Sequence, residues 1–204
     1  MKKEYILNQV NAYYSDKIVT FGKTPKGVDW NGEESQYLRF RQLSKILIKK
    51  EFSILDYGCG YGSLYNFLLQ ERYLFNYWGY DISEKMIEEA RSLNLTNASW
   101  ISELDRGSKF NYVIASGIFN VKLENNTNDW LEYIIDVLNI MNEAAVDGFS
   151  FNMLTSFSDI PLMKQHLYYG SPGFFFNYCK TNFSKNVSLL HDYDLYEFTI
   201  TVKK

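Results

Sequence analysis

Three glycines between residues 58 and 62, with an aspartate just before them, form the segment whose composition most clearly indicates chemistry. It reads Asp56-Tyr57-Gly58-Cys59-Gly60-Tyr61-Gly62 and follows the apolar pair Ile54-Leu55. Glycines permit a tight turn and let a ligand approach backbone N–H groups at the start of a helix. Asp81 ends the next apolar stretch, where a carboxylate can accept hydrogen bonds from ribose hydroxyls. The pattern favours a nucleotide-type site over a purely structural turn between strand and helix.

Asp56 indicates which nucleotide this site would take. The dinucleotide fingerprint G-x-G-x-x-G needs a glycine at position 63, where this chain has Ser63. The Asp56 carboxylate would repel a pyrophosphate and attract an ammonium or a sulfonium. S-adenosylmethionine carries both of these cations and no phosphate, so the charge favours it over a nicotinamide dinucleotide.

Residues 54–64 and 79–83 resemble motif I and the following acidic motif of the class I S-adenosylmethionine-dependent methyltransferases. The resemblance implies S-adenosylmethionine as cofactor and a seven-stranded sheet whose last strand is antiparallel. It also implies cofactor contacts from the glycine loop and from the strand ends that follow it. These are Asp56, Gly58, Cys59, Gly60 and Gly62 at the methionine moiety, Asp81 at the ribose, Ile82 and Met86 at the adenine, Ser102 or Glu103 near the adenine amino group, and Ser116 and Gly117 in the floor between donor and acceptor.

Alternating strand and helix patterns over residues 51–155 predict a doubly wound, Rossmann-like α/β sheet. The predicted strands cover 52–56, 77–81, 98–104, 110–116 and 148–155, and the helices between them cover 63–70, 83–93 and 129–142. Ser83 is the expected cap of the second helix, and a further helix should begin at Pro172 after the cap Ser171. Two further strands, 186–191 and 197–203, have no helix between them, so they should form an antiparallel hairpin. Helices at 1–20 and 33–50 precede the sheet. We therefore expect an N-terminal helical extension or lid over residues 1–50 and an S-adenosylmethionine-binding domain over residues 51–204.

The acceptor side is predicted from strand ends and from the extension. Because the sixth strand should be parallel, its end lies at the ligand-binding edge, which makes His191 the candidate catalytic base. Asp192 is its candidate partner, and the alternative is a solvated turn. Tyr14 and Arg39 of the extension are candidate cofactor contacts, and the candidate acceptor contacts are Trp30, Asn120, Tyr168 and Tyr169.

Composition excludes several other functions. The net charge is −3 over 204 residues and no Lys/Arg cluster exceeds a dipeptide, which argues against nucleic acid as a partner. Two cysteines and two histidines make a metal site or a disulfide framework improbable. No apolar run approaches the roughly 20 residues that span a membrane, and the first residues lack a signal-peptide core, so we expect a cytoplasmic protein.

The acceptor expected from these observations is a hydroxyl or an amine of a small molecule, for which a sugar or a surface-glycan precursor is one candidate. The Asn-Pro-Pro-Tyr signature of enzymes that methylate amino bases or glutamine is absent. The alternatives are a methyltransferase that acts on a protein side chain or terminus, and a non-catalytic module that retains the fold. The sequence does not specify the oligomeric state.

Overall fold

The computed structural model describes residues 2–30 and 32–204, which fold around one seven-stranded sheet. Its strands are β1 Glu51–Tyr57, β2 Leu74–Tyr80, β3 Ala98–Ile101, β4 Phe110–Ala115, β5 Ala145–Leu154, β6 Asn186–Leu190 and β7 Glu197–Lys203. The helices are α1 Lys2–Phe21, α2 Glu33–Leu43, α3 Ser63–Gln70, α4 Glu84–Arg91, α5 Thr127–Ala144 and α6 Pro172–Asn182. The predicted α/β class and the number of strands are confirmed.

The strand order creates a crevice at one edge of the sheet. The order is β3-β2-β1-β4-β5-β7-β6, with β2 and β4 both parallel to β1. The order reverses at β1, and in open α/β sheets ligands bind outside the carboxyl ends of the strands at such a point. Strand β7 runs antiparallel between β5 and β6. The antiparallel hairpin of β6 and β7 is therefore confirmed. The strand pattern did not specify that β7 is inserted between β5 and β6.

The extension before the sheet shares the hydrophobic core. Ile6 and Val10 of α1 are buried in the same cluster as β4, β5, β7 and α5. Ile18 packs in a smaller cluster with Tyr61, in the loop before α3, and Met86 of α4. These contacts hold α1 across the carboxyl edge of the sheet, above the crevice.

The predicted helix over residues 33–50 is too long. Helix α2 ends at Leu43, a 3-10 turn covers Ser44–Ile46, and Leu47 is already extended. Ile46 and Leu47 are buried like the apolar residues of the helix. Their apolar spacing therefore arises because the segment between α2 and β1 is buried, and not because the helix continues. The predicted helix start at Pro172 after the cap Ser171 is confirmed, since the Ser171 side chain accepts a hydrogen bond from the Phe174 N–H.

Candidate active site

A cleft lies at the carboxyl ends of β1, β2 and β4, under α1 and α2. It holds about 840 Å³ of space, part of which is open to solvent. The glycine loop and the ends of β2 and β4 form its floor, and the extension forms its roof.

The glycine loop is tied to the end of β2 by backbone hydrogen bonds. The N–H groups of Gly58 and Cys59 both donate to the Tyr80 carbonyl oxygen, at 2.7 and 2.9 Å. Gly58, Gly60 and Gly62 have φ of +80°, +54° and +88°, a region that side-chain-bearing residues rarely adopt. The loop therefore requires its glycines for backbone conformation, and this conformation opens its backbone toward the cleft.

Asp81 connects the glycine loop to the start of α4. Its Oδ2 accepts a hydrogen bond from the Gly60 N–H and its Oδ1 accepts one from the Ser83 N–H, both at 2.9 Å. Burial raises the pKa of Asp81 to about 6, and the two backbone hydrogen bonds oppose that rise. Each carboxylate oxygen has a second lone pair, so Asp81 can still accept hydrogen bonds from ligand hydroxyls.

Asp56 is a buried carboxylate at the end of β1. It is 2% exposed, and its Oδ2 accepts a hydrogen bond of 2.5 Å from the Tyr77 hydroxyl. Burial, and to a smaller extent the charge of Asp81, raise its pKa to about 7, against the hydrogen bond from Tyr77. Within the described part of the chain no cationic side chain pairs with it. A buried carboxylate without a cation is costly, so a cationic ligand group would compensate it.

The roof of the cleft is largely aromatic and comes from the extension. Tyr14 of α1, Trp30 of the following loop and Phe40 of α2 all line it. The Trp30 ring fills the space in front of Gly117, where a Cβ would lie 2.2 Å from the indole. Gly117 has a φ of +74°, so both its conformation and its surroundings require glycine.

A buried hydrogen-bonded network supports Trp30 from behind. The Arg39 guanidinium lies 3.9 Å from the centre of the Trp30 ring and pairs with Glu197 at 2.6 Å through its Nη2. Glu197 also accepts a hydrogen bond from Asn152 Nδ2 at 2.6 Å. Asn152 Oδ1 in turn accepts one from the Gly117 N–H at 2.8 Å. This Arg39 network connects α2, β7, β5 and the end of β4, and it fixes the wall opposite the glycine loop.

Eleven of the nineteen site residues predicted from the sequence line the cleft together. They are Tyr14, Trp30, Asp56, Gly58, Cys59, Gly60, Asp81, Ile82, Met86, Ser116 and Gly117. The Ser116 hydroxyl is buried, and no described residue forms a hydrogen bond with it.

Two predicted cofactor contacts lie just behind the cleft wall. Arg39 is buried beneath Trp30, and Gly62 is buried against Trp100. The predicted third strand ends at Ile101 rather than at residue 104, so Ser102 and Glu103 follow it at the edge of the sheet and do not line the cleft.

The remaining four predicted residues lie in the loops that follow β4, β5 and β6. Asn120 Oδ1 accepts a hydrogen bond from the Leu154 N–H, and the Asn120 carbonyl accepts one from the Tyr168 N–H. The Tyr169 hydroxyl accepts a hydrogen bond from the Lys164 N–H. His191 is exposed and packs against the rings of Phe157 and Phe198. These four residues lie on the expected edge of the sheet but outside the lining of the cleft.

Sequence reasoning missed several side chains of this region, and two of them are Tyr133 and Tyr77. Tyr133 of α5 lines the cleft, and burial raises the pKa of its phenol. The inward-facing pattern of α5 could have marked it as buried but not as facing a ligand. Tyr77, the hydrogen-bond donor to Asp56, was treated only as a residue of the second strand.

No helix in residues 2–30 and 32–204 is long and apolar enough to cross a membrane. In the same ranges, no three His, Cys, Asp or Glu side chains come together as they would around a metal ion.

Comparison with known proteins places the chain in a family. The family described as "Methyltransferase domain" matches residues 10–145. Rv1506c of Mycobacterium tuberculosis, whose name assigns it as a methyltransferase, is 44% identical over 155 residues, which cover 75% of this chain and 93% of the relative.

Solved structures share the fold at low sequence identity. Magnesium protoporphyrin IX methyltransferase from Synechocystis, with bound S-adenosylmethionine, superposes with a TM-score of 0.61 at 16% identity over 100% of this chain and 98% of that chain. The DhpI complex with S-adenosylhomocysteine superposes with a TM-score of 0.65 at 13% identity over 98% of each chain. The chain therefore belongs to the methyltransferase-domain family, and it has the fold of class I S-adenosylmethionine-dependent methyltransferases.

Proposed function

We propose that this enzyme transfers the methyl group of S-adenosylmethionine to a hydroxyl or an amine of a small molecule. The observation that carries the proposal is the unpaired Ser116 hydroxyl, buried at the end of β4 in a cleft roofed by Tyr14 and Trp30. A buried hydroxyl without a partner is costly, and a polar acceptor group would supply the missing hydrogen bond. The roof favours an acceptor small enough to enter beneath it.

The residues of the glycine loop fit the donor. Asp56 offers a buried carboxylate to a cationic group, and Asp81 offers acceptor positions to ribose hydroxyls. In our proposal the glycine loop lies along the methionine moiety, Ile82 and Met86 pack on the adenine, and Ser116 and Gly117 separate donor from acceptor. Ser102 or Glu103 near the adenine amino group stays a prediction. The donor, when bound, supplies an electrophilic methyl group on a sulfonium.

Alignment and exclusion of water are the main tasks of the chain's own residues. In-line displacement gains most of its acceleration from holding the reacting atoms close together and correctly oriented. Trp30, supported by the Arg39 network, would form the rigid wall on the acceptor side. A hydroxyl acceptor also loses a proton, and His191 with Asp192 stays our candidate base for that step. Asn120, Tyr168 and Tyr169 stay candidate acceptor contacts in the neighbouring loops.

A peptide acceptor is the second candidate. One structure with the same fold is the plantazolicin methyltransferase BpumL in complex with a pentazolic desmethylPZN analog, at 14% identity and a TM-score of 0.61. The exposed apolar residues Phe157, Ile160 and Leu162, in the segment after β5, would favour an acceptor that extends beyond the cleft. A non-catalytic module is disfavoured, because such a protein has no physical need for a buried, uncompensated Asp56.

Labelled methyl transfer into size-separated acceptors tests the proposal. The enzyme is incubated with methyl-labelled S-adenosylmethionine and either the low-molecular-mass filtrate or the protein fraction of a cell extract. We expect label in the filtrate, loss of that label with Asp81→Ala, and a lower rate with Ser116→Ala. Label in the protein fraction alone would replace this proposal by the peptide alternative.

His191 is tested on the acceptor fraction that the first experiment identifies. His191→Ala should lower turnover and leave the affinity for S-adenosylhomocysteine unchanged. Equal turnover in the variant would remove His191 as the base. The cytoplasm, with no membrane or nucleic-acid partner, is the setting that we propose for this activity.

A further inference from the structure

Asp56 depends on one side chain for its polar environment. The strand neighbours of Asp56 are Gly79 of β2 and Ile114 of β4, neither of which has a polar side chain. The Trp100 ring fills the space in front of Gly79, where a Cβ would lie 2.5 Å from it. The Tyr77 hydroxyl is thus the one described side-chain donor to this carboxylate.

We infer that Tyr77 is a positioning residue for the methyl donor, because its hydroxyl holds the Asp56 carboxylate in place for the donor's cationic methionine end. The inference rests on the proposed pairing of Asp56 with that cation. It assigns a role to a side chain that does not line the cleft.

Strand register explains how Tyr77 reaches Asp56. Tyr77 pairs with Ile54, which lies two residues before Asp56 on β1 and on the same face of the sheet. Two residues of strand span about 6.6 Å, a distance that a tyrosine side chain laid along the strand can cover. The Tyr77 ring is 1% exposed and packs edge-on against Tyr65 and Trp100, with centroids 5.4 and 5.2 Å away. The hydroxyl is therefore fixed in direction.

The hydrogen bond from Tyr77 affects the ionisation of Asp56, because the other surroundings of Asp56 disfavour its charged form. Asp81 and the neutral thiol of Cys59 are the other titratable groups that interact with Asp56. Burial and Asp81 raise the pKa of Asp56, whereas the hydrogen bond from Tyr77 lowers it. Burial also raises the pKa of Tyr77 well above its usual value, so its phenol stays protonated and donates. Loss of the hydroxyl should therefore leave Asp56 protonated, and unable to attract a cation, up to a higher pH.

Tyr77→Phe removes only the hydroxyl, and Tyr65→Phe is the matched control. Tyr65 is also buried and packs on the Tyr77 ring, but its hydroxyl donates to the Thr96 carbonyl oxygen. Titration calorimetry from pH 6 to 9 measures the affinity for S-adenosylhomocysteine, which carries an ammonium group, and for adenosine, which does not. The ratio of the two affinities cancels the contributions of Asp81 and of adenine packing.

In the wild type this ratio should rise as the pH increases through about 7, the pKa of Asp56. In Tyr77→Phe the midpoint of the rise should move up by about one to two pH units. The ratio at pH 7 should fall by about five- to fiftyfold, and the difference from the wild type should narrow at pH 9. Tyr65→Phe should follow the wild type.

Asp56→Asn separates a failure of this inference from a failure of the proposed donor site. If Asp56→Asn lowers and flattens the ratio while Tyr77→Phe follows the wild type, Tyr77 has no positioning role. An equal shift with Tyr65→Phe would also overturn that role, because general packing would then be the cause. If Asp56→Asn leaves the ratio unchanged, or if the wild type binds neither ligand, the proposed pairing of Asp56 with the donor is itself wrong.

Discussion

The two ends of the cleft are built in different ways. The end where we propose that the donor binds, the donor end, lies around the glycine loop and uses residues between Asp56 and Met86, which are close together in the chain. The end where we propose that the acceptor binds, the acceptor end, lies around Trp30 and uses the Arg39 network, whose ion pair joins residues 158 positions apart. A donor site of this kind can be recognised from a short motif. An acceptor wall of this kind exists only after the sheet has formed.

The two ends also differ in how their charges are balanced. Asp56 and Asp81 at the donor end are carboxylates that burial makes harder to ionise, and no described cation pairs with Asp56. At the acceptor end, Glu197 is 1% exposed but receives hydrogen bonds from Arg39 and Asn152. Removing the Asp56 charge at the donor end should therefore stabilise the unliganded protein and weaken ligand binding, whereas removing the Glu197 charge at the acceptor end should destabilise the fold.

The largest expected effect is that of Glu197→Ala on stability. The variant leaves the Arg39 guanidinium buried without its partner, which costs about 3–5 kcal/mol of the free energy of unfolding. Urea denaturation measures this loss, and calorimetry below the transition should find little change in affinity for S-adenosylhomocysteine. Glu84→Ala is the control, since Glu84 forms an exposed ion pair with Arg91. Similar stability losses in the two variants would contradict the role of the network.

Asp56→Asn should raise the free energy of unfolding of the unliganded protein, whereas Glu197→Ala lowers it. The pKa of Asp56 is raised from 3.8 to about 7, so folding favours its protonated form and the stability of the wild type falls as the pH rises through this range. At pH 8 the variant avoids the cost of the buried charge and should be more stable by roughly 2–4 kcal/mol. The difference should shrink toward pH 5. A difference that does not depend on pH would contradict this balance of charges.

Gly117→Ala tests the contact between the acceptor wall and the floor. The new Cβ would lie 2.2 Å from the Trp30 ring, at a φ of +74°. The left-handed conformation alone costs about 1–2 kcal/mol, and the Trp30 ring has to move. We expect a loss of this size in denaturation and a changed tryptophan fluorescence. Gly173→Ala, where a Cβ meets nothing within 4 Å, is the control. Unchanged fluorescence in Gly117→Ala would contradict the packing of Trp30.

Ser83→Ala should change the stability less than the three substitutions above. Ser83 caps α4 by accepting a hydrogen bond from the Met86 N–H, and it shares another with the Ser15 hydroxyl of α1. Loss of a helix cap typically costs about 1 kcal/mol. The cap Ser171 has no such contact with α1, so Ser171→Ala should cost less. Denaturation of both variants would show the difference, and equal losses would mean that the Ser15 contact contributes nothing.

The sequence predicted the helix starts around the cleft well, because their signals are local. The bounds of α3 and the caps Ser83 and Ser171 agree with the structure, since glycines, caps and apolar spacing act within one turn or one strand. The predicted end of α2 was wrong, because Ile46 and Leu47 are apolar and buried at a spacing that also fits a continued helix.

The acceptor end could not be predicted in the same way. Glu197 looks like an ordinary first residue of a strand, and its partner Arg39 lies in another helix far away in the chain. Nothing local marks either residue as part of a buried pair. Only the insertion of β7 beside β5 brings Glu197 next to Asn152 and Arg39.

The most direct test of the donor site is thermal unfolding with S-adenosylhomocysteine and a nicotinamide dinucleotide in parallel, for the wild type and Asp81→Ala. At about 100 times its dissociation constant, a ligand of the native state adds about 2.7 kcal/mol. For a chain of this size the midpoint should rise by about 5–10 °C with S-adenosylhomocysteine. We predict that rise in the wild type, a much smaller one in Asp81→Ala, and none with the dinucleotide. A rise with the dinucleotide alone, or an equal rise in Asp81→Ala, would contradict the donor site described above.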